Sequence, residues 1–282
     1  MSAPTPAVLG RDDDVATLDA DGEVDLFSAA TGRRERTLLP AGRPADGISI
    51  SPDGRTLAVS HAGGSIDLLS VSGGQLHKLV GSRSPQLLPG VTSAAAPIQT
   101  VFSPNGTWLA SAGGAGGLID LFNVASGRLV RTFTTGAEPV LSLAINRQGN
   151  LLAAGDGASA YLLRFPSGSQ RFALAHADPS IWTDATGGEV SVAFSADGST
   201  LLTAGDQRTR VWNTQSGTLL LTIPFARGGA ITPNAQRVVA DSSGLVSTFS
   251  CAVCGGLRQL LALARSDLTR NFPAAERAVY LR

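Results

Sequence analysis

Short apolar runs rich in Val, Ile, Leu and Phe recur along the chain, separated by polar joints of Gly, Pro, Asn, Asp and Ser. Runs of this length between such joints predict β-strands. The joints keep a common phase. One polar turn recurs as Ser51-Pro52-Asp53-Gly54, Ser103-Pro104-Asn105-Gly106, Asn146-Arg147-Gln148-Gly149, Ser195-Ala196-Asp197-Gly198 and Thr232-Pro233-Asn234-Ala235, with Arg11 to Asp14 as a degraded first copy. A second turn follows each: Thr31-Gly32, Ser72-Gly73, Ser126-Gly127, Ser167-Gly168, Ser216-Gly217 and Cys254-Gly255. Between them an alternating strand closes on a bulky residue at Phe27, Leu69, Phe122, Trp212 and Phe249, with Arg164 in that place in the fourth copy.

Each unit therefore reads as strand, polar turn, strand, Gly-rich turn, alternating strand, Ser-Gly turn and fourth strand. In the third copy the pattern predicts strands at 98–102, 108–112, 118–122 and 129–133. Four strands in a unit of about 40 residues is the blade of a β-propeller. The expectation is an all-β chain: a propeller of about six four-stranded blades over 1–256, the last incomplete, followed by a tail over 257–282. In the tail Leu257, Leu260, Leu261 and Ala264 fall at i, i+3, i+4 and i+7, the stripe of an amphipathic helix. A second short helix is expected near Pro273. The tail reads as a cap on or beside the propeller, or as a helical hook for a partner.

The segment Val192-Ala193-Phe194-Ser195-Ala196-Asp197-Gly198 through Arg210-Val211-Trp212-Asn213 resembles a WD40 repeat almost residue by residue. Val101 to Gly106 through Asp120-Leu121-Phe122-Asn123 is similar, and the likeness extends roughly from Ala7 to Gly256. The Gly-His dipeptide that opens family repeats is absent, and only Trp212-Asn213 approximates the closing Trp-Asp. The tail, from Cys251-Ala252-Val253-Cys254 through Leu268-Thr269-Arg270 to Tyr280-Leu281, is similar to the C-terminal end of actinobacterial WD-repeat proteins. There the propeller often follows a signalling NTPase, a regulator or a kinase domain. The resemblance implies a sensor or scaffold arm; no such upstream module is present in this sequence, and the chain reads alternatively as the C-terminal part of a larger regulator of that type.

Lys and Arg total 22 against 22 Asp and Glu, so no global field attracts nucleic acid or anionic lipid. Neither is expected as a partner. Met1 to Ala7 lacks the basic and apolar regions of a secretory signal, and no apolar stretch approaches a membrane span, so a cytoplasmic location is expected. Cys251 and Cys254 are the two cysteines. Their spacing lacks the further ligands a zinc site wants and the βαβ setting of a redox motif, which leaves a small structural turn, disulfide-bonded under oxidation.

The histidines, His61, His77 and His176, do not cluster by spacing, and the predicted innermost strands, 48–51, 100–103, 141–145, 192–195 and 230–232, carry almost no acids. A channel enzyme would need carboxylates or His there, so no catalytic residue, metal or cofactor is expected. Asp12 to Asp14 reads as a solvated turn. Two long insertions suggest binding instead. Gly81 to Pro97 carries Leu87, Leu88 and Val91, and Ala177 to Glu189 carries Ile181 and Trp182. Apolar anchors in polar loops are typical of interfaces. Arg208 and Arg210, with Asp206, are assigned to a charged loop of the fifth unit as further contacts. Trp212, Phe27, Phe122, Phe249, Gly54, Gly106, Gly198, Cys251 and Cys254 are assigned structural roles. The expected function is a non-catalytic scaffold or sensor that binds a protein or peptide; the alternative is a hydrolase or small-ligand propeller using the central channel.

Overall fold

The computed structural model describes residues 7–9, 14–19, 21–61, 64–81, 99–113, 116–136, 138–175, 190–205, 208–224, 228–232, 237–242 and 245–251. They form six antiparallel sheets in chain order. Sheet 1 holds β1 (Ala7–Leu9), β2 (Asp14–Leu18), β3 (Val24–Ser28) and β4 (Arg34–Leu39); sheet 2 holds β5 (Ala45–Ile50), β6 (Thr56–His61), β7 (Ser65–Ser70) and β8 (Gln75–Val80). Sheet 3 holds β9 (Gln99–Phe102), β10 (Trp108–Ala112), β11 (Leu118–Asn123) and β12 (Arg128–Thr134); sheet 4 holds β13 (Ser142–Ile145), β14 (Leu151–Gly155), β15 (Ser159–Arg164) and β16 (Gln170–Ala175). Sheet 5 holds β17 (Ser191–Phe194), β18 (Thr200–Gly205), β19 (Arg208–Asn213) and β20 (Leu219–Pro224), and sheet 6 holds β21 (Gly228–Ile231), β22 (Arg237–Ser242) and β23 (Leu245–Ser250). In every sheet, neighbours in sequence are neighbours in space.

The recurring polar turn has one chemistry. Its first residue turns a side-chain oxygen back to the backbone N–H that starts the next strand: Ser51 to Thr56, Ser103 to Trp108, Asn146 to Leu151, Ser195 to Thr200 and Thr232 to Arg237, at 2.9–3.1 Å. Where the third residue is Asp53, Asn105 or Asp197, its Oδ1 accepts the serine hydroxyl at 2.6–2.7 Å. Gly54, Gly106 and Gly198 then take φ near +70°, which only glycine adopts without a Cβ penalty.

Five apolar clusters join the sheets in series, 1 to 2, 2 to 3, 3 to 4, 4 to 5 and 5 to 6. The first strands of successive sheets also approach one another from β1 through β5, β9, β13 and β17 to β21. No comparable approach links β21 to β1 among the described residues. The bulky residue near the end of each third strand packs on the preceding sheet: Leu69 on sheet 1, Phe122 on sheet 2, Trp212 on sheet 4 and Phe249 on sheet 5. Phe27 in sheet 1 joins none of these clusters among the described residues and stays half-buried.

The pairing corrects the sequence alignment in sheet 4. Leu152 faces Leu163 as Leu109 faces Phe122, so the fully buried Leu163 holds the bulky position and the exposed Arg164 matches Asn123. A one-residue slip reverses which face a side chain takes, which is why Arg164 sits at the surface. Sheet 4 is thus as well anchored as the others.

The predicted strands of the third copy match β9 to β12 within two residues at each end. Sheet 6 has three described strands, and the tail 257–282 lies outside the described residues, as does Cys254. Cys251 is buried and disulfide-bonded.

Candidate functional site

The loop residues assigned as anchors, Leu87, Leu88, Val91, Ile181 and Trp182, lie outside the described residues, as do His176, Asp206, Asp12 and Asp13. Asp14 is the first residue of β2 rather than part of a turn. Arg208 and Arg210 also need correcting: they lie on β19, not in a loop. Arg208 faces Gly205 and Arg210 faces Thr203 across the β18 pairing, and both side chains are half-buried. The alternation of a central strand forces every second residue toward a neighbouring sheet, so arginines here pack by their stems.

Trp212 is 8 % exposed, and its Nε1 donates to Thr203 Oγ1 at 2.8 Å. A second buried polar contact was not legible from spacing. His61, with no exposed surface, points Nε2 at Asp67 Oδ2 at 2.9 Å and Nδ1 at the Pro44 carbonyl at 3.2 Å. Gln75 donates to the other Asp67 oxygen at 2.9 Å, and Arg43 lies 3.6 Å from the same carboxylate and bonds Ser65. This network ties the link between sheets 1 and 2 to the third strand of sheet 2. His61 and Asp67 are buried in it, while Arg43 and Gln75 reach the surface.

On the first strands, the Ser49 and Thr100 hydroxyls meet at 2.7 Å between sheets 2 and 3, and Ser142 Oγ accepts from Val192 N at 3.1 Å between sheets 4 and 5. The observed first strands contain one acid, Asp46. Among the described residues no group of three or more His, Cys, Asp or Glu is placed to hold a metal ion.

In sheets 2 to 5 the turns from first to second strand and from third to fourth strand meet at one end of the sheet, joined by backbone bonds from Val71, Val124, Phe165 and Thr214 to Arg55, Thr107, Asn150 and Ser199. The fourth strand of each of four sheets also reaches across to the Ser-Gly turn of the next. Arg36 donates to the Ser72 carbonyl at 2.7 Å, His77 to Ala125 at 3.0 Å, Arg131 to Ser167 at 3.0 Å and Arg171 to Gln215 at 2.8 Å.

Two grooves open at this end, between adjacent sheets. The groove between sheets 1 and 2, about 570 Å³, mixes Asp14, Glu35 and Asp53 with Arg36 and Arg55. The groove between sheets 3 and 4, about 340 Å³, is lined by Pro104, Asn105, Trp108, Arg147, Phe165 and Pro166, among others, and by no carboxylate. Sequence reasoning passed over this second set. The available signal was departure from the repeat: Trp108 stands where sheets 2 and 5 have Thr56 and Thr200, and Arg147 where Pro52, Pro104 and Ala196 stand.

Electrostatics at the turns follow from local hydrogen bonds. Asp53 is held below the ordinary carboxylate value, first by the Ser51 hydroxyl. For Asp197 burial pushes upward most strongly, but the Ser195 and Ser199 bonds together outweigh it and the net shift is down. Asp25 follows the same balance, burial against bonds from Thr37 and Arg34. Burial, then the Asp156 carboxylate, raises Tyr161.

No curated protein matches the chain. Residues 179–213 match the family model described as WD domain, G-beta repeat, a span that takes in β17, β18 and β19 of sheet 5 with the Trp212–Thr203 bond. The stretch 179–213 is accordingly a WD repeat in a chain whose described residues form six antiparallel sheets.

Proposed function

We propose that the six sheets are the blades of a WD-repeat propeller and that the chain is a non-catalytic platform for a protein or peptide, working in a regulatory assembly. The carrying observation is the match of 179–213 to the WD repeat on a sheet whose architecture recurs along the chain. WD repeats generally serve protein interactions, and fold likeness alone does not name a partner. The tail's likeness to actinobacterial WD-repeat proteins supports the regulatory setting.

In this reading the links from fourth to first strands, with Trp182, Ile181, Leu87, Leu88 and Val91, form one binding face, and residues 257–282 cap the last blade. A cytoplasmic location belongs to the same reading.

The test is affinity capture with the wild type and a Trp182→Ala variant of matched thermal stability, read by mass spectrometry. A partner held by the wild type and lost by the variant supports the loop face. Equal capture by both removes Trp182 from the site.

A further inference from the structure

The groove between sheets 3 and 4 collects departures from the internal repeat that the sequence scatters over some sixty positions. Backbone bonding makes the comparison position by position. Trp108, whose N–H bonds Ser103 Oγ, is the counterpart of Thr56, Leu151 and Thr200, whose N–H groups make the same bond in their own sheets. Phe165, whose N–H bonds the Asn150 carbonyl, is the counterpart of Val71, Val124 and Thr214. Pro166 follows it where the other turns have Ser72, Ala125 and Gln215, and Arg147 replaces a proline or alanine. The structure brings these four exceptional side chains, from two sheets, into one cleft. The other sheets form the same turns with different residues at these places.

The chemistry of the cleft is one-sided. Trp108 packs one face against the buried cluster that includes Phe165 and is half-buried, so its other face lines the groove with Pro104 and Pro166. Its indole N–H has no partner among the described residues, and neither has the exposed guanidinium of Arg147. Asn105 spends its carbonyl oxygen on Ser103 and Thr107, and its amide nitrogen is uncommitted. Gln148 is turned away, donating to the Asp197 carbonyl of sheet 5 at 2.7 Å. The uncommitted groups of Trp108, Asn105 and Arg147 are thus all donors, one carries a full positive charge, and no acid lines the groove. An apolar floor edged by donors calls for an apolar side chain next to an acceptor with negative charge.

We propose that this groove is a docking site for an extended segment of a partner protein that carries a carboxylate beside an apolar side chain. The apolar group lies against Trp108, Phe165 and Pro166, and the carboxylate meets the Arg147 guanidinium. This rests on the platform reading but assigns the contact to the turn end of sheets 3 and 4, not to the loops that hold Trp182.

The test uses two variants that borrow residues from other sheets, Trp108→Thr and Arg147→Ala, each checked for unchanged equilibrium unfolding. A phage-displayed library of random 12-residue peptides is selected on the full chain, and the recovered peptides are synthesised and titrated by calorimetry. Peptides pairing Asp or Glu with an apolar neighbour are expected. Their affinity should fall at least about 30-fold with Trp108→Thr and about tenfold with Arg147→Ala. Changing the acid to its amide should reproduce the Arg147 loss without adding to it. Peptides that bind wild type and both variants equally overturn the groove and leave the platform standing. Peptides lost with Trp108→Thr but indifferent to Arg147→Ala overturn the carboxylate assignment. Recovery of no binding peptide overturns the groove and leaves the platform to the Trp182 capture experiment.

Discussion

Three Ser-Gly turns dock a ring from the sheet before them, and substituting their glycines separates backbone cost from inter-sheet packing. Gly168 has φ +73°, and a Cβ there would lie 2.4 Å from Phe133 Cδ1 and 2.5 Å from Cγ. Gly32 occupies the same turn in sheet 1 with φ +65°, but nothing among the described residues lies within 4 Å. Gly32→Ala therefore carries only the left-handed backbone cost, about 1–2 kcal/mol. Gly168→Ala adds the overlap, because carbon contacts settle near 3.5–4.0 Å and Phe133 is held against the cluster between sheets 3 and 4. Overpacking of this kind costs about 1–3 kcal/mol more, for a total of about 2–5 kcal/mol. Urea unfolding of the two variants measures the difference. In a Phe133→Ala background the Gly168→Ala cost should drop toward that of Gly32→Ala without reaching it, since the ring contacts go but the Phe133 Cβ contact at 2.9 Å stays, a coupling that a double-mutant cycle reads directly. Equal costs for the two glycines, or no coupling to Phe133, would refute the docking of each turn on its neighbour.

Three further outcomes are expected. Ser195→Ala leaves the N–H of Thr200, a residue 1 % exposed, without its Oγ partner and should cost about 1–3 kcal/mol in urea unfolding. Asp53 has a folded pKa below its unfolded one, so its contribution is present above the ordinary carboxylate value and is lost as pH falls through the depressed folded value. Carboxyl NMR titration should show Ser51→Ala moving Asp53 back up, and acid unfolding of that variant should depend less steeply on pH in this window. Asp67→Ala removes the acceptor of buried His61 and of Gln75, and should lower stability by about 2–3 kcal/mol, with Asp67→Asn milder.

The strand pattern, the repeat and its phase were legible in the sequence because each turn carries its own chemistry within six residues. Ser51 reaches Thr56 and Asp53 without help from any other sheet. Register was less legible. Arg164 and Leu163 are adjacent in sequence, and only the pairing with β14 shows which one faces the core. Arg208 and Arg210 looked like loop charges because a short turn beside a strand has no sharp edge in composition.

The candidate groove was not legible, although every residue of it was in view. Trp108, Arg147, Phe165 and Pro166 each read as a local irregularity, and their meaning depends on which sheets stand side by side. The His61–Asp67 contact shows the same limit at shorter range, since the neighbouring loop supplies the Pro44 carbonyl and Arg43. What the sequence determined by itself is what six-residue hydrogen bonds and apolar alternation can encode: strands, turns and their period. What only the tertiary structure decided is which exceptional side chains share a surface, because contact between sheets joins residues 36 to 48 positions apart through packing that no local pattern records.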